Sequence, residues 1–232
     1  MLVVATQQQG PPMPRPSHLT VIAVVAAAFY IYALASDNPL FALLVKPVPV
    51  LALIAWLHNI PATAYSRWIS IGLGLSVLGD ILLAIPQDLF VFGLAAFFCA
   101  HLAYLHGYCR ITQRPALPAL ALCTLLAGGL FTLLASHGLG ALVIPVALYT
   151  LAIAAMLWRA MACGGLAAVG AGLFVFSDSL IGIDRFVSPF AAAKYVIILA
   201  YWLGQWAIAA SVYRRSIDKV LIQDDTNRVH SC

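Results

Sequence analysis

Residues 68–108 read WISIGLGLSVLGDILLAIPQDLFVFGLAAFFCAHLAYLHGY, and the only formal charges among them are Asp80 and Asp88. The Pro-Gln-Asp at 86–88 is a turn signal. It divides the stretch into two apolar runs, 68–85 and 89–108. A helix needs about 20 apolar residues to cross the hydrocarbon core of a bilayer. The stretch therefore predicts two membrane helices joined by a tight turn, with one aspartate buried inside the first.

The rest of the chain repeats this pattern. Further apolar runs span 19–36, 39–57, 116–136, 141–159, 165–184 and 189–213, eight in all, with breaks at SDNP, HNIPATAYSR, RITQRP, SHGLG, MACGG and RFVSP. The composition agrees. Of 232 residues, 63% are hydrophobic and 9% are charged, against roughly 25% charged in a soluble domain. The expected fold is an all-α, multi-pass membrane protein, an eight-helix bundle over 19–213. Residues 1–18, rich in proline, are expected to be a disordered arm. Residues 214–232 are expected to be a polar cytoplasmic tail. The first four residues form too short an apolar run for a signal-peptide core.

The charge distribution predicts an orientation. With the N-terminus inside, the inner segments hold Arg15, Arg67, Arg110, Arg114, Arg159, Arg214, Arg215, Lys219 and Arg228, and the outer loops hold only Arg185. That asymmetry follows the positive-inside rule, and eight helices return the C-terminus to the same side. The expected setting is a bacterial inner membrane, or the endoplasmic reticulum in a eukaryotic cell. A net charge of +4, spread over helix ends, does not point to nucleic acid. The five cysteines lack metal or redox spacing, and neither a metal nor another cofactor is expected.

Lys46 and Lys194 are the two basic residues left within helices. Counting about 1.5 Å per residue from the expected helix ends, Lys46, Asp80, Asp178 and Lys194 all lie roughly 8–11 Å below the outer interface. Polar stripes run along the same helices. Gly72, Ser76 and Asp80 share one face, as do Phe97, His101, Tyr104 and Tyr108. Asp178, Gly182 and Arg185 align on the seventh helix, and Lys194, Tyr201 and Gln205 on the eighth. Lipid offers polar groups no partners, so these faces should turn inward. LGDILLA at 78–84 and FSDSLIG at 176–182 place a small residue, an Asp and a Leu alike, which suggests two parallel four-helix halves.

A charged aspartate at mid-membrane costs at least about 2.5 kcal/mol. Asp80 and Asp178 could each pair with Lys46 or Lys194 and simply hold the bundle together. Alternatively they form one carboxylate pair, one protonated and acting as an acid, the other ionised. His101 fits a hydrogen-bonded packing role or a site role, and so does Tyr149. Lys46, beside Pro47 and Pro49, could hold a phosphate or a carboxylate. No nucleophile elbow, phosphate loop or zinc-binding pattern is present.

The stretches LVKPVPVLALIAWL, LGDILLAIPQDLFVFGLAAFFCAHLAYL, VIPVALYTLAIAAMLWR, GLFVFSDSLIGIDRF and AAKYVIILAYWLGQWAI together resemble the lysoplasmalogenase family of YhhN type, from about residue 40 to 210. The resemblance implies an eight-helix membrane hydrolase. Its substrate would be the vinyl ether of a lysoplasmalogen, a lysophospholipid taken from the bilayer. The products would be a fatty aldehyde and glycerophosphocholine or glycerophosphoethanolamine. The family's catalytic aspartates carry over to Asp80 and Asp178. Vinyl ethers hydrolyse by acid, which two carboxyls supply without a metal. Substrate contacts are then expected from Lys46, His101, Tyr149, Arg185, Lys194, Tyr201 and Gln205. A proton-coupled amphiphile carrier and a non-catalytic lysolipid-binding protein are the competing readings.

Overall fold

A computed structural model describes residues 18–85, 87 and 89–230, the last twelve as backbone alone. Residues 1–17 of the expected disordered arm lie outside the described residues. Among the described residues there are nine α-helices: α1 His18–Ala35, α2 Pro39–Val45, α3 Val48–His58, α4 Ala64–Ala84, α5 Phe90–Cys109, α6 Leu117–Ser136, α7 Val143–Cys163, α8 Gly165–Phe186 and α9 Ala193–His230. They form eight segments long and apolar enough to cross a membrane, α2 and α3 acting as one span.

The breaks follow from local chemistry. Pro47 and Pro49 lack the N–H groups that would carry α2 into α3, and Lys46 sits at the resulting joint. Thr63 and Ser66 form a reciprocal capping box, so α4 starts four residues before the apolar run at Trp68. Gly164, with φ of +72°, turns α7 directly into α8 in a conformation that suits a residue without Cβ. The Asp184 carboxylate accepts a hydrogen bond from the Phe190 backbone N–H at 3.1 Å and ties the end of α8 to the next loop. The segment expected as a polar tail continues helically in α9 to His230.

Lipid supplies no hydrophobic force between helices, so close packing has to hold them. At the crossing of α8 and α9, a Cβ on Gly170 would lie 2.7 Å from the Gly204 carbonyl oxygen and 2.7 Å from the Ile208 nitrogen. Gly170→Ala should therefore destabilise the fold by about 1–3 kcal/mol. Gly172→Ala, two residues on, meets nothing within 4 Å and should be neutral or slightly stabilising. Thermal unfolding in detergent compares the two, and equal losses would contradict the backbone contact.

The outer surface is apolar, with Leu125, Ile144 and Phe92 each more than 60% exposed. The polar stripes turn inward except at Arg185 and Lys194, which are exposed near helix ends. Ser76, Asp80, His101, Tyr104, Tyr108 and Gln205 are all buried. The spans α4–α5 and α8–α9 form the two most intimate pairs. At one end of the bundle, Arg159 donates hydrogen bonds to the carbonyls of Arg114 and Thr112. Trp158 Nε1 donates to the Pro115 carbonyl at 2.7 Å, which clamps the loop between α5 and α6. Both intramembrane aspartates lie toward the other end.

Candidate active site

Asp80 projects from α4 with its side chain 3% exposed. The Lys46 ammonium, held at the joint between α2 and α3, lies 3.3 Å from its Oδ1. The same Nζ lies 3.4 Å from the Asp80 carbonyl oxygen. From α9, the Tyr201 hydroxyl donates to Oδ2 at 2.7 Å. Of the two lysines at comparable depth, the structure brings Lys46 to the carboxylates and leaves Lys194 outside. Lys194 reaches the Leu34 carbonyl at 3.5 Å on the exposed side of α9, with its nitrogen 5.5 Å from the Tyr195 ring centre. At a helix start, a long cationic side chain can extend away from the core.

Asp178 projects from α8 with its side chain 7% exposed. The Tyr149 hydroxyl, from α7, donates to its Oδ2. His101 Nε2, from α5, lies 3.1 Å from the same oxygen and 2.9 Å from the Tyr149 hydroxyl. The ring of His101 is fully buried, and its Nδ1 has no partner among the described residues. Nε2 is the nitrogen that faces the carboxylate and can donate to it. Asp178 Oδ1 takes no hydrogen bond from the described residues.

The two half-sites are built alike. Each aspartate lies on the third span of its half. Each receives a side chain from the second span of the same half, Lys46 or Tyr149. Each also receives one from the last span of the opposite half, Tyr201 or His101. The shared pattern agrees with the likeness of the two Asp-containing segments.

An aromatic layer joins the half-sites. Phe174 is fully buried. Its ring centre lies 4.8 Å from that of His101, 5.3 Å from Tyr201 and 5.9 Å from Phe97, all edge-to-face. Behind it, the Tyr104 hydroxyl donates to Gln205 Oε1 at 2.8 Å and lies 3.4 Å from Ser76 Oγ. Gln205 is thus fully buried and held by Tyr104 rather than by either carboxylate. Asp80 and Asp178 lie on opposite sides of Phe174, on which their partners Tyr201 and His101 both pack.

A cavity of about 60 Å³ opens beside Asp178 between α5, α6, α7 and α8. That is several times the roughly 10–15 Å³ needed to seat a water. Tyr149, Thr150, Ser179 and Gly182 line it with Asp178, while α6 contributes Leu130 and Leu134. Asp80 is not on the cavity wall. At the mouth, the Arg185 guanidinium lies 3.9 Å from the ring centre of Phe90, which also lines the cavity. Phe174 and the α6 leucines were not among the sequence candidates. Leucine and phenylalanine in an apolar run carry no chemical signal, and only packing reveals their place.

The chain is similar to proteins of known name. It is 39% identical over 181 residues to the human protein named Lysoplasmalogenase TMEM86B, covering 77% of this chain and 78% of that one. It is 35% identical over 161 residues to a Mycobacterium bovis protein named Lysoplasmalogenase, covering 60% and 62%. Human Lysoplasmalogenase TMEM86A is 29% identical over 201 residues, covering 79% and 83%. No solved structure matches the chain. The YhhN family matches residues 41–212, which run from α2 into α9 and include every residue of both aspartate networks, and the chain belongs to that family.

Proposed function

We propose that the protein is a lysoplasmalogenase, cleaving the vinyl ether of lysoplasmenylcholine or lysoplasmenylethanolamine. The observation that carries this reading is the Asp178 carboxyl, one oxygen unbonded to any described residue, on the wall of a membrane-buried cavity and across the aromatic layer from a second carboxylate. The names of the relatives point the same way.

Vinyl ethers resist base and yield to acid, so a proton has to reach carbon. In this reading Asp178 carries that proton on Oδ1, while Tyr149 and His101 fix the carboxyl through Oδ2. The proton passes to the β-carbon, whose new C–H bond takes the double-bond electrons, and an oxocarbenium ion forms at the ether. Asp80, ionised and held by Lys46 and Tyr201, offsets the positive charge across the aromatic layer. Water adds at the α-carbon and gives a proton to Asp178, which regenerates the acid. The hemiacetal then moves its hydroxyl proton to the glyceryl oxygen and releases fatty aldehyde and glycerophosphocholine or glycerophosphoethanolamine. No cofactor enters this sequence.

The orientation belongs to the proposal. With both termini inside, the cavity mouth lies in the outer half of the bilayer. Arg185 at that mouth is then placed to meet a headgroup phosphate. The test uses purified protein, a lysoplasmalogen and its saturated alkyl-ether analogue. Fatty aldehyde should appear from the vinyl ether and not from the saturated ether. No aldehyde from either would end the hydrolase reading.

A further inference from the structure

In the hydrolase reading the cavity beside Asp178 takes the reacting end of a lipid, but at about 60 Å³ it has no room for a long chain. On the other side of Tyr149 lies a groove of about 250 Å³ between α5 and α7. Leu94, Ala95 and Phe98 form one wall, and Pro145, Leu148 and Tyr149 the other. The Tyr149 hydroxyl is the one polar side-chain atom among them. Ala95 and Leu148 are exposed on the bundle surface, so the groove opens sideways to lipid. Leu94 and Tyr149 line both the groove and the cavity. The two spaces thus adjoin at the residue whose hydroxyl bonds Asp178.

Resting on the hydrolase reading, we infer that the α5–α7 groove is the subsite for the single aliphatic chain of the substrate. The chain enters laterally from the bilayer and lies along α5 and α7. Its first carbons pass Tyr149, which places the vinyl ether at Asp178. The opposite end of the lipid points toward the mouth at Phe90 and Arg185. The groove takes one chain, the number a lysolipid carries, and a second chain would have to stay in the bilayer outside it. The far end of the chain lies in lipid, so extra length adds little affinity.

Volume alone would favour a different groove, of about 440 Å³ between α1, α3 and α9, lined by Trp56, Trp202 and Trp206. It shares no residue with the cavity at Asp178. Adjacency to the carboxyl therefore selects the smaller groove.

The test is photolabelling of the full-length protein in phosphocholine nanodiscs. The probe is a saturated-ether lysophospholipid carrying a diazirine in mid-chain. Labels are expected within 91–98 and 144–149. Labels confined to 19–27, 49–56 and 199–206 would overturn the inference. Labelling needs no turnover, so labels at α5 and α7 in protein that releases no aldehyde would keep the subsite while the hydrolase reading fell.

A variant adds a kinetic arm. Ala95→Trp fills the groove from its lipid side. It should raise KM for a long-chain lysoplasmalogen at least about tenfold, the loss of roughly two buried methylenes. It should leave a short propenyl ether unaffected. Leu125→Trp, on the lipid face of α6 and 74% exposed, should change neither. An unchanged KM in Ala95→Trp, or an equal loss with the short ether, would overturn the assignment.

Discussion

Asp178→Asn should lose about 10²–10⁴-fold in aldehyde release, the usual contribution of a positioned general acid. Asparagine keeps the shape and can still meet Tyr149 and His101, but it has no acidic proton to deliver to carbon. The loss should fall on kcat, because an interaction made only in the transition state is removed. Asp80→Asn should lose activity as well, since the developing cation then faces a neutral amide. Asp178→Asn should elute as the wild type does in detergent, whereas Asp80→Asn leaves the Lys46 charge without its partner, so its rate is compared per folded protein. Full activity in either one would rule out the paired-carboxyl mechanism.

Lys46→Met should destabilise the bundle strongly. Removing one partner of a buried ion pair costs about 3–5 kcal/mol, because the other charge is left uncompensated. Lys46 and Asp80 are 14% and 3% exposed in their side chains, so little solvent is present to replace the lysine. The double variant Lys46→Met/Asp80→Asn removes both charges and should recover much of the lost stability. A double-mutant cycle on thermal unfolding measures the coupling. The cycle also separates two roles of Asp80. If its role were only to hold the bundle, the stable double variant would release aldehyde at the wild-type rate. On the mechanism proposed above, it stays inactive however well it folds.

Much of the architecture is legible in the sequence because lipid leaves few alternatives. A span needs a fixed length of apolar helix, and polar stripes have to turn inward. The face of Phe97, His101, Tyr104 and Tyr108 follows from spacing alone, and all four are buried. The second span shows its break in the prolines at 47 and 49. What spacing does not resolve is the choice among groups at similar depth. Lys46 and Lys194 count alike from the helix ends, and only the placement of α2 and α9 selects Lys46. Along the axis Asp80 lies four residues from the end of α4 and Asp178 eight from the end of α8. The common layer inferred from the sequence therefore holds only to about a turn of helix. Phe174 and Phe176 look interchangeable in FVFSD, yet one is fully buried and the other half exposed. Rotation of α8 against its neighbours decides this, and a nearly all-apolar helix gives no signal of that angle. Tyr149 is a candidate from the sequence, but in a span apolar almost all round nothing there signals that its hydroxyl bonds Asp178.

The crossed arrangement of the half-sites has a consequence for biosynthesis. Asp80 waits for Tyr201, which emerges from the ribosome more than a hundred residues later. Asp178 depends on His101, inserted long before it. A nascent chain holding only the first four spans thus has one carboxylate paired by Lys46 and, of the second network, His101 alone. The lysine keeps that early intermediate tolerable in lipid, and the reactive pair comes into being only when the eighth span docks. On the mechanism proposed above, partial chains are inert toward membrane lipids, and completion of the polypeptide itself switches the chemistry on.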